Sequence, residues 1–91
     1  MNQVVAVGRI VSIEPNRIIK IGVTRPFKDV SGDYEVDYVT CELKEKQIEN
    51  VKEFLVVGDL IAVKGSLSCT DKQGIMVVTA EKLTFLSSKQ S

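Results

Sequence analysis

The chain has 91 residues, 44% of them hydrophobic, with 6 Gly and 2 Pro, a balance that favours one small globular domain over a disordered chain. Twelve basic residues stand against 12 acidic ones, for a formal net charge of +0; no global field draws in a polyanion, so a surface for one has to come from sorting charges onto different faces. The apolar runs, such as Val4 to Val7 and Ile75 to Val78, are too short for a membrane-spanning helix, and Met1 to Val7 lacks the basic start of a secretory signal, so a cytoplasmic location is expected and no membrane partner.

Residues 3 to 14 are rich in β-branched side chains and read as a long first strand, with Gly8 a place for a bend, a bulge or close packing. Pro15 and Asn16 end it. A second strand is expected at Arg17 to Arg25, where Ile19, Ile21 and Val23 alternate with Lys20, Gly22 and Thr24. The segment Pro26 to Tyr34 carries Asp29, Ser31, Gly32 and Asp33, residues that allow reversal, and reads as an exposed connection. In the third strand, Glu35 to Leu43, one face holds Val39, Cys41 and Leu43 and the other Tyr38, Thr40 and Glu42. The first should be core and the second a wet or working surface.

From Lys44 to Val57 the period becomes helical, with Ile48, Val51 and Leu55 on one stripe, and predicts a helix over residues 45 to 56. Phe54 lies near that stripe and is expected in the core; Gly58 reads as the terminator. Leu60 to Cys69 reads as a fourth strand, Thr70 to Gly74 as a hairpin connection and Ile75 to Leu86 as a fifth strand. Phe85 is read as core or subunit interface. Residues 1–87 thus form the domain and 88–91 a short polar tail.

Three strands, a helix and two strands lack the crossover helices of a doubly wound fold. A closed barrel removes the edges that an open five-stranded sheet exposes. The fold class is therefore all-β with one short helix, a five-stranded oligonucleotide/oligosaccharide-binding barrel with its helix between the third and fourth strands.

There is no His, which removes the usual base of Ser and Cys nucleophile systems, and the two cysteines form no zinc or redox pattern. Cys41 and Cys69 are expected as buried free thiols. Asp29, Asp33, Glu35 and Asp37 read as a solvated acidic face, without a compact loop of ligands for a hard cation. No enzyme, cofactor or metal is expected.

Several segments, in order, resemble the bacterial single-stranded DNA-binding protein family: N-Q-V-V-A-V-G-R-I (Asn2 to Ile10), V-T-R-P-F-K (Val23 to Lys28), G-D-Y-E-V-D-Y-V-T-C (Gly32 to Cys41), K-Q-I-E-N-V-K-E-F-L (Lys46 to Leu55), G-D-L-I-A-V-K-G-S-L (Gly58 to Leu67) and V-V-T-A-E-K-L-T-F-L (Val77 to Leu86). The resemblance implies sequence-tolerant binding of single-stranded DNA in replication, recombination or repair, by bases stacked on exposed aromatics and phosphates held by Lys or Arg. A primosome-like accessory or protein-interaction barrel with weakened stacking is the alternative. The family pattern puts Phe27 and Tyr38 at stacking positions, with Tyr34 a lesser candidate. Arg25 and Lys28 flank Phe27 as phosphate contacts, Lys44 stands where the family usually has an aromatic, and Arg9, Lys20, Lys64 and Lys72 are weaker candidates. The acidic cluster should border the DNA path while the Arg25 and Lys28 side receives it.

Only 5% of residues are aromatic and Trp is 0, so stacking platforms are few. The small chain and its long first strand point to a homodimer or homotetramer, nucleoid-associated by its ligand. The S-S-K-Q-S end at Ser91 differs from the acidic tail of many members, so replication or repair proteins are not expected to be recruited through such a tail.

Overall fold

In the computed structural model the described residues are 2–69 and 74–87. They form strands β1 (Val4–Glu14), β2 (Ile18–Lys28) and β3 (Tyr34–Glu42), helix α1 (Glu45–Phe54), then β4 (Leu60–Cys69) and β5 (Met76–Phe85). The sheet closes in the order β1-β2-β3-β5-β4. All pairings are antiparallel except a short parallel contact of β3 with β5 at Cys41 and Val78, and this contact seals the barrel. The expected five-stranded barrel with its single helix is the observed architecture.

Strand β1 serves two neighbours. Its first half, Val4 to Arg9, pairs with β4, and its second half, Arg9 to Glu14, pairs with β2. The register slips between Ile10 and Ser12, the local kink of a bulge that turns the strand between sheets. Gly8 sits just before that slip, where a Cβ would collide with the Gly22 carbonyl oxygen. Its role is close backbone approach, and the bulge lies further along.

Inward side chains follow the two-residue period: Ala6 and Ile10 from β1, Ile19 and Ile21 from β2, Cys41 from β3, Ile61 and Val63 from β4, Val78 and Ala80 from β5. Helix α1 adds Ile48 and Val51, and Leu55 follows at its C-terminal cap, closing the cluster. Its start is held by the Lys44 backbone N–H, which donates to Gln47 Oε1 at 2.7 Å, half of a capping box. Among the described residues, no buried side-chain nitrogen or oxygen lacks a partner. No described helix is long and apolar enough to cross a membrane.

Several expectations need correction. The helix ends at Phe54, with Leu55 as its cap. Gly58 instead supports the next turn at φ 102°, where its N–H donates to the Ile10 carbonyl. Phe54 is 50% exposed because it projects off the Ile48, Val51 and Leu55 stripe rather than along it. Arg17 belongs to the β1–β2 turn at φ 62°, tethered to Leu43 through both its carbonyl and its Nε. Strand β2 runs on to Lys28, past Pro26, through an irregular register between Thr24 and Lys28, as a strand must when one residue has no N–H to give the ladder. Cys41 is buried, and that burial pushes its thiol up to about 12. Cys69 is exposed, its thiol directed at Met76 Sδ, 3.3 Å away. The expected connection over residues 70–73 and the tail at 88–91 lie outside the described residues.

At Gly65 a Cβ would strike the Thr79 carbonyl oxygen, backbone that cannot swing aside. Gly65→Ala should therefore destabilise the barrel by about 1–3 kcal/mol. Urea denaturation followed by circular dichroism measures it, and an unchanged midpoint contradicts the close β4–β5 approach.

Candidate functional site

Register places the candidate side chains. Arg9 pairs with Gly22, and Gly22 pairs with Tyr38. On the neighbouring rungs Lys20 faces Thr40, Thr24 faces Val36 and Lys28 faces Tyr34. Side chains two apart share a face, so Lys20, Gly22 and Thr24 point outward with Val36 and Tyr38, opposite the buried Ile19, Ile21 and Cys41. The slip between Thr24 and Lys28 spans two residues, which keeps Lys28 and Tyr34 on this same face.

Its rings are open to solvent: Tyr38 is 67% exposed and Tyr34 53%. Lys28 Nζ stands 5.7 Å from the Tyr34 ring centroid, within cation–π range. Phe27, 79% exposed, lies in the irregular stretch of β2 rather than in a loop. Beside Tyr38 a shallow cleft of about 430 Å³ draws on four strands, lined by Val7, Arg9, Val11, Gly22, Val36 and Tyr38 among others. An open aromatic, an apolar cleft and cations on neighbouring rungs make a surface that suits a flat apolar group tethered to anions.

Arg25 is placed differently from expectation. Its Nε and Nη2 donate to both oxygens of Asp37 at 3.0 and 2.9 Å, and its Nη1 donates to Glu35 at 2.8 Å. Glu35 and Asp37 alternate with Tyr34, Val36 and Tyr38, so this network lies on the other face of the hairpin. The expected separation of acidic cluster and Arg25 is thus replaced by direct pairing, which leaves one carboxylate charge in excess. Asp29 is likewise engaged: Oδ1 accepts from the backbone N–H of Ser31 and Asp33 and from the Ser31 hydroxyl. With Gly32 at φ 90°, that carboxylate organises the turn between β2 and β3.

The other candidates either have a partner of their own or stand apart. Arg9 donates to the Gly58 carbonyl at 3.0 Å, and Lys20 lies 3.6 Å from Glu14. Lys44 heads α1, six residues beyond Tyr38, about 20 Å along an extended chain; it borders a hollow with Arg17, Glu42 and Glu45. Lys64 stands on β4 between Val5 and Lys82. Lys72 lies outside the described residues. The sequence reading missed Gly22, Val11 and Val36 as parts of this surface, because only register reveals which strand positions lie beside Tyr38.

No family model matches the chain. It is 34% identical to single-stranded DNA-binding protein 3 of Listeria innocua, an alignment that takes in 100% of this chain and 67% of that protein. It is 34% identical to single-stranded DNA-binding protein B of Bacillus subtilis over 90% of this chain and 83% of that protein. Among solved structures, the small single-stranded DNA-binding protein of Streptomyces coelicolor superposes with a TM-score of 0.72 at 20% identity, covering 93% of this chain and 94% of that one. The mitochondrial counterpart Rim1 from S. cerevisiae gives 0.72 at 16% identity, covering 96% of each chain. At such identities the structural likeness concerns the barrel alone.

The Arg25 network fixes a pH response. Hydrogen bonding from Arg25 holds the Asp37 carboxyl below its ordinary 3.8, against a weaker desolvation effect. A lowered folded value stabilises above the unfolded one and is lost as pH falls through the folded one. The brace should therefore be intact at neutral pH and release in acid below about 3.8. A carboxyl-carbon NMR titration should find Asp37 below 3.8 in the parent and back near it in Arg25→Ala; an identical midpoint in both proteins refutes the pairing in solution.

Proposed function

The chain belongs to the single-stranded DNA-binding protein family, and from that premise we propose that it binds single-stranded DNA with little regard for sequence, in replication, recombination or repair. The observation that carries this reading is the rung Arg9, Gly22, Tyr38, an exposed ring and a cation on one outward face of adjacent strands. Unpaired bases offer π faces to such rings, and phosphates between them meet Lys and Arg. Duplex DNA hides those faces and should bind less well. The role is binding rather than catalysis, and a DNA ligand supports a cytoplasmic, nucleoid-associated location.

Within this reading Tyr38 and Phe27 stack bases, with Tyr34 an accessory ring steadied by Lys28. Lys28, Lys20 and Arg9 supply phosphate contacts on the same side, and Lys44 extends the path along β3. Arg25 braces the hairpin from behind through Asp37 and Glu35, and its charge is spent there. Fluorescence anisotropy with labelled oligo-dT at several salt concentrations tests the arrangement. Tyr38→Ala should weaken binding by roughly 1–3 kcal/mol at every salt concentration. Lys28→Ala should reduce the salt slope by about one counterion. If the parent shows no binding at low salt, the accessory-module reading replaces this one.

We also propose self-association through β1. Val5 is 64% exposed, and among the described residues Val4 to Gly8 have a paired strand only on the β4 side. An open strand edge that carries an exposed valine suits a second copy of the same strand. Sedimentation equilibrium should return a dimer or tetramer mass at micromolar concentration, with Val5→Lys shifting it toward monomer. A monomer mass for the parent rejects the interface.

A further inference from the structure

Gly22 stands on the outward face of β2, directly across from Tyr38 in the register. A Cβ placed there would lie 3.1 Å from Val36 Cγ1, 3.3 Å from Val11 Cγ2 and 3.7 Å from Tyr38 Cε1. Three side chains from the two neighbouring strands therefore lean into the space that a side chain at this position would fill. The Tyr38 ring reaches over the glycine yet stays 67% exposed, an aromatic lying across a neighbouring glycine with much of its surface open. Gly22 has an ordinary extended backbone, since the positive-φ glycines are 32, 58 and 74. The turn chemistry that accounts for those three does not account for this one.

Resting on the DNA-binding reading above, we propose that Gly22 is a positioning residue for base stacking. Lacking a side chain, it seats the Tyr38 ring low across β2, against Val11 and Val36, so that an unpaired base meets a ring already held in place. A β-branched residue at 22 lifts the ring or crowds its outer surface. A single methyl asks less: the 3.7 Å approach to Tyr38 is ordinary contact, while Val36 and Val11, at 3.1 and 3.3 Å, each have to yield by a few tenths of an ångström. The ring's fixed seat reduces the freedom lost when a base stacks.

The test is a double-mutant cycle read by oligo-dT affinity, with folding checked by circular dichroism and oligomeric mass. Gly22→Val should weaken binding about five- to tenfold in the parent and less than about twofold in a Tyr38→Ala background, because the effect passes through the ring. Gly22→Ala should fall between the parent and Gly22→Val, since its one methyl crowds Val36 and Val11 less than a β-branched side chain does. The salt slope should not change in any of these, since no phosphate contact is altered. Equal losses with and without Tyr38 overturn the positioning role while leaving DNA binding standing. A parent that does not bind oligo-dT overturns both. Should Gly22→Val fail to fold, the parent's NMR spectrum decides: the Gly22 Hα resonances should be shifted by the Tyr38 ring current and return to ordinary values in Tyr38→Ala, and unshifted resonances refute the seating.

Discussion

A five-stranded barrel closes here only because β1 pairs with two different strands, and everything on its outer face inherits that constraint. The strand carries β4 along its first half and β2 along its second, with the changeover at Arg9. Where the sheets fold over one another, backbone approaches backbone, and Gly8 and Gly65 occupy the two places where a Cβ would meet a carbonyl oxygen. The parallel contact between β3 and β5 completes the closure. Closure shortens the exposed edges that a small open sheet would offer for aggregation, leaving the Val4 to Gly8 stretch of β1 paired on one side.

The same closure sorts the charges. A chain with zero formal net charge has no long-range attraction for DNA, so local arrangement decides. Much of the negative charge around the β2–β3 hairpin is already occupied: Asp29 by the turn's donors, Glu35 and Asp37 by Arg25. Exposed ion pairs of this kind contribute little to stability. Their consequence is spatial, since they hold carboxylates behind the hairpin while Lys20 and Lys28 stay on the front with Tyr34 and Tyr38. On the front, Lys28 stands beside the Tyr34 ring and Lys20 lies 3.6 Å from Glu14.

Few aromatics serve this surface, so the setting of each ring matters more than in a protein with many. Tyr38 lies over a glycine between two valines, and Tyr34 is approached by Lys28. Both rings stand beside cross-strand neighbours and are more than half exposed, which leaves surface open for a partner. Stability comes instead from the inner faces of the strands and the helix stripe, so core and working surface use alternate residues of the same strands.

That alternation explains what was legible in the sequence. Period two in Ile19, Ile21 and Val39, Cys41, and the helical stripe of Ile48, Val51 and Leu55, fix which side of each element is buried, because the hydrophobic effect acts on local pattern. Strand count, helix position, barrel class and the outward aim of Tyr38 followed from it. Phe54 and Cys69 were misjudged because apolar character was read without the angle or strand end on which each sits. Arg25 was read as free because its partners lie ten and twelve residues away across a hairpin. What the tertiary structure alone decided was register: that Arg9, Gly22 and Tyr38 share one rung, that Arg25 meets Asp37, and that Gly8 faces the Gly22 carbonyl. A slip of one residue exchanges the faces of a strand, and no local property of the chain sets how two strands align.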